Sequence, residues 1–286
     1  MSVNEEIIVS LTTWSARIKN IPVVLDSIYN QTIKPNKVVL NLSVGEIVPS
    51  ELEHYITEHQ IEVNYVPDTK VYKKLLPTLL RYPTACVINI DDDCIYPKGM
   101  IEEFVSLHRK YPQFPISGNK VIYFGMQCHC GCASLTKYEY FGERLNDIDE
   151  DLMASCPSDD MVFTYLATFN CHPYIRTDNL YSDNLVAESL EIQSYTQLVV
   201  LPQDGINRTY NYLIHRFGTL PFLVGTYVKD SHFSSLINDI VTDKIQCVEI
   251  ESLQTIENKF RSTYAYRLGK FLLRPLSWLR NIVNKE

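Results

Sequence analysis

The stretch Thr84-Ala-Cys-Val-Ile-Asn-Ile-Asp-Asp-Asp-Cys-Ile-Tyr-Pro97 decides how the rest of the chain is read. Cys86–Ile90 is apolar apart from Asn89 and runs straight into Asp91, Asp92 and Asp93. A short apolar run bounded by breakers predicts a buried strand. Three adjacent carboxylates at its end repel one another, which costs stability unless a cation sits among them. Hard oxygen ligands of this kind suit Mg2+ or Mn2+. In an open α/β sheet, ligands bind just beyond the carboxyl ends of strands. The alternative is a solvated acidic turn that caps a helix starting near Lys98. An EF-hand loop does not fit. Counting from Asp91, the sixth residue is Tyr96 where the turn needs Gly, and the fifth is Ile95 where a ligand is required.

Toward the amino terminus three more strands are expected. Glu6-Ile-Ile-Val-Ser-Leu-Thr-Thr reads as a buried strand, with Thr12, Thr13, Trp14, Ser15 and Arg17 at or beyond its carboxyl end. Lys37–Ser43 is the second, and Ile61–Val66 alternates with period two as the third. Between them, helices are predicted over Pro22–Asn30, Pro49–His59 and, despite Pro77, Tyr72–Tyr82. Pro22 suits a first helical turn. The β-α-β-α-β-α-β order predicts an α/β fold with a mostly parallel sheet and helices on both faces. A further helix is expected over 98–110.

Beyond Pro112 the pattern weakens. Val121–Phe124 and Thr196–Pro202 read as strands, and Asp204–Arg208 as a loop before a helix over Thr209–Phe217. Ser158-Asp159-Asp160 reads as a helix start, with Ser158 as N-cap and acids in the first turn.

The 286 residues, 45% hydrophobic and 21% charged, are enough for one large domain or one domain with a tail. The polar start predicts no secretory signal, and no uncharged apolar stretch reaches the ~18 residues of a spanning helix. Eight cysteines in such a chain read as reduced, mostly buried thiols. In Cys128-His129-Cys130-Gly131-Cys132 the one-residue spacing is too short for paired zinc ligands, and no second pair is evident. Zinc and thiols packed in a turn both stay open there.

Charge divides unevenly. Residues 258–286 hold seven basic residues and one acidic, a net +6; the remainder, with 19 basic against 33 acidic, is −14. The acidic body argues against nucleic acid as a partner. The tail mixes Leu268, Phe271, Leu272, Leu276, Trp278, Leu279 and Ile282 with flanking arginines. This composition, over 260–282, predicts an interfacial helix on an anionic membrane, bent at Gly269 and Pro275. A basic helix docked on the acidic body, or a dimer contact, is the alternative.

Four pieces recur in order: Val9-Ser-Leu-Thr-Thr-Trp-Ser-Ala-Arg-Ile18, Gln31-Thr-Ile-Lys-Pro-Asn-Lys-Val-Val-Leu40, Tyr72-Lys-Lys-Leu-Leu-Pro-Thr-Leu79 and Asn89-Ile-Asp-Asp-Asp-Cys-Ile-Tyr-Pro97. Together they resemble bacterial GT-A-fold glycosyltransferases, family 2-like, of lipopolysaccharide or capsule biosynthesis. The resemblance covers residues 6–112 and thins afterwards. It implies a Rossmann-like GT-A domain over 1–257, with 1–112 as the nucleotide-sugar half and 113–257 as the acceptor half, followed by the amphipathic tail 258–286.

The resemblance further implies a UDP- or GDP-type sugar donor and Mn2+ or Mg2+ held by Asp91 and Asp93, which match the Asp-x-Asp motif. Asp92 would lie beside the ribose or the metal. Thr12, Thr13 and Arg17 would contact the nucleoside, and Lys74 would face the same cleft with a point charge suited to phosphate or sugar; a solvated helix residue is the alternative for Lys74. The acceptor, a glycan or lipid-linked glycan at the inner, cytoplasmic face of the bacterial membrane, needs a base. Asp160, with Asp159 second, is the candidate for in-line, inverting attack; helix-dipole acids are the alternative. His232 is a candidate late metal ligand, against an ordinary surface histidine. The Gly-rich segment common in the family is replaced here by Ser117-Gly-Asn and Phe124-Gly-Met-Gln-Cys-His-Cys-Gly-Cys132.

Two other functions compete. A nucleotidyltransferase shares the plan and the carboxylate-held metal, but would want a Gly/Arg/Lys-rich loop after the first strand, and Thr12–Arg17 has no glycine. A catalytically inactive glycan-binding subunit would use the 19 tyrosines as sugar-stacking faces.

Overall fold

The computed structural model describes residues 5–118, 133–176 and 208–218, with the backbone of 122–123, 126–127, 188–189 and 203–207. The chain divides into two compact units, Met1–Cys247 and Val248–Glu286, and every described residue lies in the first. The Cys128–Cys132 cluster, the strand expected at 196–202, His232 and the basic tail lie outside the described residues.

Four parallel strands, β1 (Ile7–Thr12), β2 (Lys37–Ser43), β3 (Glu62–Val66) and β4 (Cys86–Ile90), form one side of the central sheet. They stand in the order β3-β2-β1-β4, with Val9 opposite both Val38 and Ile88. All five residues of β4 are buried, as expected for a strand covered on both faces. The helices between them are α1 (Ile21–Tyr29), α2 (Ser50–Glu58) and α3 (Leu76–Arg81). The expected helix over Tyr72–Tyr82 is divided. Lys70–Lys74 is a 3-10 turn, and α3 starts after it with Pro77 in its first turn. Proline lacks an N–H and crowds the preceding turn, so it opens a helix there and does not sit within one.

After Asp93 comes β5 (Cys94–Ile95), then α4 (Met100–Lys110). The sheet continues through β6 (Ile116–Ser117). A small hairpin of β7 (Ile122–Tyr123) and β8 (Met126–Gln127) follows, separate from the main sheet; β7 accounts for the strand expected at 121–124. β9 (Ala133–Thr136) then inserts between β4 and β6, antiparallel to both. Helices α5 (Glu150–Ser155) and α6 (Asp159–Phe169) precede β10 (Ile175–Arg176), which completes a seven-stranded sheet ordered β10-β6-β9-β4-β1-β2-β3. Only β9 runs against the other six. β11 (Glu188–Ser189) pairs with β5. α7 (Gln203–Phe217) begins six residues before its expected start. Asp204 and Gly205, read as loop, fall in its first turn, where an acid suits the helix dipole and Gly costs least.

Helices cover both faces. On one, Val24, Leu25 and Ile28 of α1 and Ile101 and Phe104 of α4 pack on Val9, Leu11 and Ile88. On the other, Leu79 of α3, Phe163 and Leu166 of α6 and Leu213 of α7 join Val87, Tyr72 and Phe141. Among the described cysteines Cys86, Cys94 and Cys156 are buried free thiols and Cys171 is exposed.

Candidate active site

The sheet reverses direction at β1. The chain passes from β1 outward to β2 and β3, then returns to place β4 on β1's other side. Such a switch point leaves a crevice at the carboxyl ends of the strands. A cleft of about 650 Å3 lies there, lined by Thr12, Thr13, Trp14 and Arg17 after β1, Lys73 and Lys74 before α3, Asp91–Asp93 after β4, and Asp159 and Asp160 opening α6. Every candidate residue that falls among the described residues lines this one cleft.

The three aspartates do three different things. Asp92 turns inward. It is 7% exposed and accepts from Thr13 Oγ1 at 2.7 Å and Arg17 Nη1 at 2.9 Å. The same Arg17 nitrogen donates to Asp93 Oδ2 at 2.8 Å. Asp91 Oδ1 faces Lys74 Nζ at 3.3 Å. The Asp91 backbone N–H donates to Tyr96 Oη at 2.8 Å, which closes the turn and accounts for a tyrosine at the sixth position. Burial raises the Asp93 pKa, and Asp91 and Asp92 raise it further against Arg17. Burial also raises that of Asp92, opposed by Thr13 and Arg17. A solvated acidic turn is therefore ruled out, since cationic side chains are packed among these acids.

Lys74 is not a solvated helix residue either. It is 9% exposed, and besides Asp91 its Nζ lies 3.3 Å from Asp159 Oδ2 and 3.5 Å from Asp160 Oδ1. Burial disfavours the ammonium, but Asp159, Asp91 and Asp160 outweigh it and hold its pKa well above the usual range. One positive charge facing three carboxylates cannot satisfy all of them. Burial, opposed by Lys74 and reinforced by Asp160 and Asp91, pushes the Asp159 pKa up to about 7.

A buried polar network fixes Lys74. Ser10 Oγ donates to the Lys74 carbonyl at 2.6 Å, and Asn41 Nδ2 donates to Ser10 Oγ and Thr78 Oγ1 at 3.2 and 3.0 Å. Asn64 Nδ2 in turn donates to Asn41 Oδ1 at 2.8 Å. The polar interruptions of β1 and β2 therefore hold the lysine's backbone in place. On the acid side, Tyr72 Oη donates to the Cys156 carbonyl at 2.5 Å, tying the 3-10 turn to the segment that leads into α6. Ser158 has extended N-cap backbone angles but its side chain makes no capping hydrogen bond, contrary to the sequence expectation. Asp159 and Asp160 thus face Lys74 at the amino end of α6.

Several cleft residues carry no role in the sequence reading, among them Trp14, Ser43, Asp68 and Lys73. Trp14 presents an indole whose Nε1 is buried with no hydrogen-bond partner among the described residues. Lys73, also buried, pairs with Asp68 at 2.7 Å, and Ser43 Oγ donates to Asp68 Oδ1 at 3.1 Å. Hydrogen bonds from Lys70 and then Lys73 hold Asp68 well below the usual carboxylate range. The Tyr72-Lys-Lys run is a visible signal, but the sequence points only Lys74 of its two lysines at the cleft. Thr12 lines the cleft while its Oγ1 donates to the Asn41 carbonyl at 2.8 Å.

No helix among the described residues is long and apolar enough to cross a membrane. No family model and no curated protein sequence matches the chain. Among solved structures, the mannosyltransferase PcManGT from Pyrobaculum calidifontis, in complex with GDP-Man and Mn2+, superposes with a TM-score of 0.52 at 17% identity, over 100% of this chain and 89% of that one. S. aureus TarS 1-349 gives 0.48 at 15% identity over 85% and 81%. A cytidylyltransferase from Leptospira borgpetersenii also gives 0.48, at 12% identity over 87% and 98%. At that level neither of these two bears on the reading of the site. The fold is the GT-A arrangement, shared with a mannosyltransferase over the length of this chain.

Proposed function

We propose that the chain is a metal-dependent glycosyltransferase that moves a sugar from a nucleotide-diphosphate donor to a glycan acceptor, with inversion at the anomeric carbon. One observation carries this reading. The acids after β4 and the acids opening α6 meet in one cleft, across the shared ammonium of Lys74.

Mn2+ or Mg2+ fits the residues present. Ligand atoms of Asp91 and Asp93, together with the Cys94 thiol, lie within 4.8 Å of one another. The two carboxylates are the hard oxygen donors such ions take, and their mutual repulsion is what a divalent cation relieves. When bound, the ion would stabilise the negative charge that grows on the departing diphosphate. His232 is a third candidate ligand.

The chain's own residues divide the rest of the work. Asp92 orients Thr13 and Arg17, and Arg17 in turn fixes the rotamer of Asp93. Thr12 and Thr13 border the space for the nucleoside, and Trp14 lines it beside them. Asp160, with its side chain 23% exposed against 4% for Asp159, accepts the proton of the acceptor hydroxyl. Asp159 and Lys74 position it. PcManGT's own ligands, GDP-Man and Mn2+, are of the proposed donor and metal class.

We read the acceptor as a lipid-linked glycan of bacterial lipopolysaccharide or capsule synthesis, and 258–286 as the segment that meets the anionic inner face of the membrane. Family resemblance and tail composition support this extension.

The test is a screen of UDP and GDP sugars by thermal shift, with and without Mn2+. A Tm raised by one nucleotide class only when Mn2+ is present is the expected result. No stabilisation by any nucleotide diphosphate would refute the donor. Product analysis then separates reaction types, since sugar transfer liberates nucleoside diphosphate whereas nucleotidyl transfer liberates pyrophosphate.

A further inference from the structure

At the opposite end of the sheet, roughly 17 Å from the cleft for a strand of five residues, a second group of ligand-type side chains converges. Glu5 precedes β1, Cys86 opens β4, and His108 lies in the last turn of α4. Their ligand atoms lie within 4.8 Å of one another. His108 Nε2 is 3.0 Å from Glu5 Oε2, and Cys86 Sγ is 3.4 Å from the same oxygen. Cys86 and His108 are 2% and 3% exposed, while Glu5 faces solvent.

The hydrogen bonds around His108 suit a ligand at Nε2. Tyr140 Oη donates its one hydrogen to the Pro112 carbonyl, an acceptor only, at 2.7 Å. Toward His108 Nδ1, at 3.3 Å, that oxygen is free to accept. Without a metal, a neutral ring donates from Nε2 to the Glu5 carboxylate at 3.0 Å. With a metal on Nε2, the ring hydrogen moves to Nδ1, where Tyr140 Oη accepts it.

We propose that Glu5, Cys86 and His108 form a second metal site, independent of the cleft, for Zn2+ or a similar thiophilic divalent ion, with water as the fourth ligand. Metal–ligand bonds of about 2.0–2.3 Å set tetrahedral corners roughly 3.3–3.7 Å apart. The observed 3.0 and 3.4 Å separations need only small side-chain shifts to match this.

The surroundings are those of a supported metal site. A ligating histidine normally donates its other ring N–H to a fixed oxygen. Tyr140, itself anchored on Pro112, provides that oxygen. Lys137 Nζ holds the other Glu5 oxygen at 2.8 Å and is itself paired with Glu139 at 2.8 Å. Glu5, a Cys86 thiolate and Glu139 against Lys137 leave a net −2, which one divalent ion neutralises.

In the metal-free chain the Cys86 S–H donates to Glu5. On binding, the S–H bond breaks, an S–metal bond forms, and one proton leaves to the buffer. The ion would tie the segment leading into β1 to the start of β4 and the end of α4, across the amino edge of the sheet. Glu5, Cys86 and His108 are far apart in the chain, so no sequence motif announces the site.

Co2+ titrated into the full-length protein tests this. One equivalent is expected to give the near-ultraviolet thiolate-to-cobalt charge-transfer band, which Zn2+ then bleaches. Cys86→Ser should abolish the band, and Asp93→Ala, in the distant cleft, should leave it. Glu5→Gln, at an exposed position that keeps the fold, should weaken Co2+ binding at least ~10-fold. Absence of the band, a band that survives Cys86→Ser and so arises at Cys128–Cys132, or unchanged affinity in Glu5→Gln each overturns the proposal.

Discussion

Lys74 and Asp159 form a buried ion pair, Nζ to Oδ2 at 3.3 Å, on the wall of the cleft where the acids after β4 meet those opening α6. The lysine cannot be removed without leaving Asp91, Asp159 and Asp160 facing one another. Breaking a buried pair on one side costs ~3–5 kcal/mol. Lys74→Met should lower unfolding stability by about 3 kcal/mol in urea titrations and abolish transfer. It should also show a larger Mn2+-induced rise in Tm than the parent chain, because the ion then supplies the missing charge.

Asp92 and Asp93 predict opposite phenotypes although they are neighbours. Asp93→Ala should remove the Mn2+ dependence of nucleotide binding in calorimetric titrations, with little loss of stability. Asp92→Asn should do the reverse. Its carboxylate accepts from Thr13 and Arg17 in a buried setting, and hydrogen bonds to charged groups contribute ~1.5–3 kcal/mol. Unchanged turnover in Asp93→Ala would remove it from the metal site.

Asp160→Asn separates binding from chemistry. Loss of a positioned base should cut kcat by ~10²–10⁴ while donor affinity is retained. An Asp159→Asn variant that loses as much would exchange the two roles.

Asp159 also sets a pH dependence of stability. Its folded pKa of about 7 lies above the usual carboxylate value of 3.8. Between these two values the native state keeps a proton that the unfolded chain has released, so stability falls as pH rises through that window. Chemical denaturation from pH 4 to 7 should show this slope, and it should flatten in Asp159→Asn. A slope unchanged by the substitution would place the titration elsewhere.

Tyr72→Phe removes the bond to the Cys156 carbonyl and nothing else of its packing. A loss of about 1 kcal/mol is expected, more if the carbonyl is left without a donor. Because that bond ties Lys74's turn to the approach to α6, kcat should fall with KM for the donor unchanged.

The legible part of the fold was its local part. Each of β1–β4 is a run of apolar residues with breakers at its ends, and their order with intervening helices forces a parallel sheet. Asp91–Asp93 announced themselves because three like charges need a cation. What that cation is inside the protein was not legible. Lys74 reads as one of two adjacent lysines on a helix that in fact starts only at Leu76, and its burial follows from Ser10, Asn41 and Thr78, three polar residues that each look like an interruption. Arg17 follows β1 in the sequence, but its grip on Asp92 and Asp93 depends on the β1–β4 pairing. β9 was not foreseen, since four residues inserted between β4 and β6 leave no periodic trace. Glu5, Cys86 and His108 likewise become neighbours only once three elements have docked.

An ammonium shared between Asp91 and the Asp159–Asp160 pair also makes the cleft a thermodynamic relay. A cation that takes up Asp91 withdraws one of Lys74's three partners, and the freed attraction falls on Asp159 and Asp160. Their proton affinity would drop on binding of the proposed ion. By reciprocity, a proton on Asp159 or Asp160 weakens that ion's hold through the same lysine. In the proposed reaction this coupling favours donor and ion first, with Asp160 deprotonated for the acceptor once they are in place.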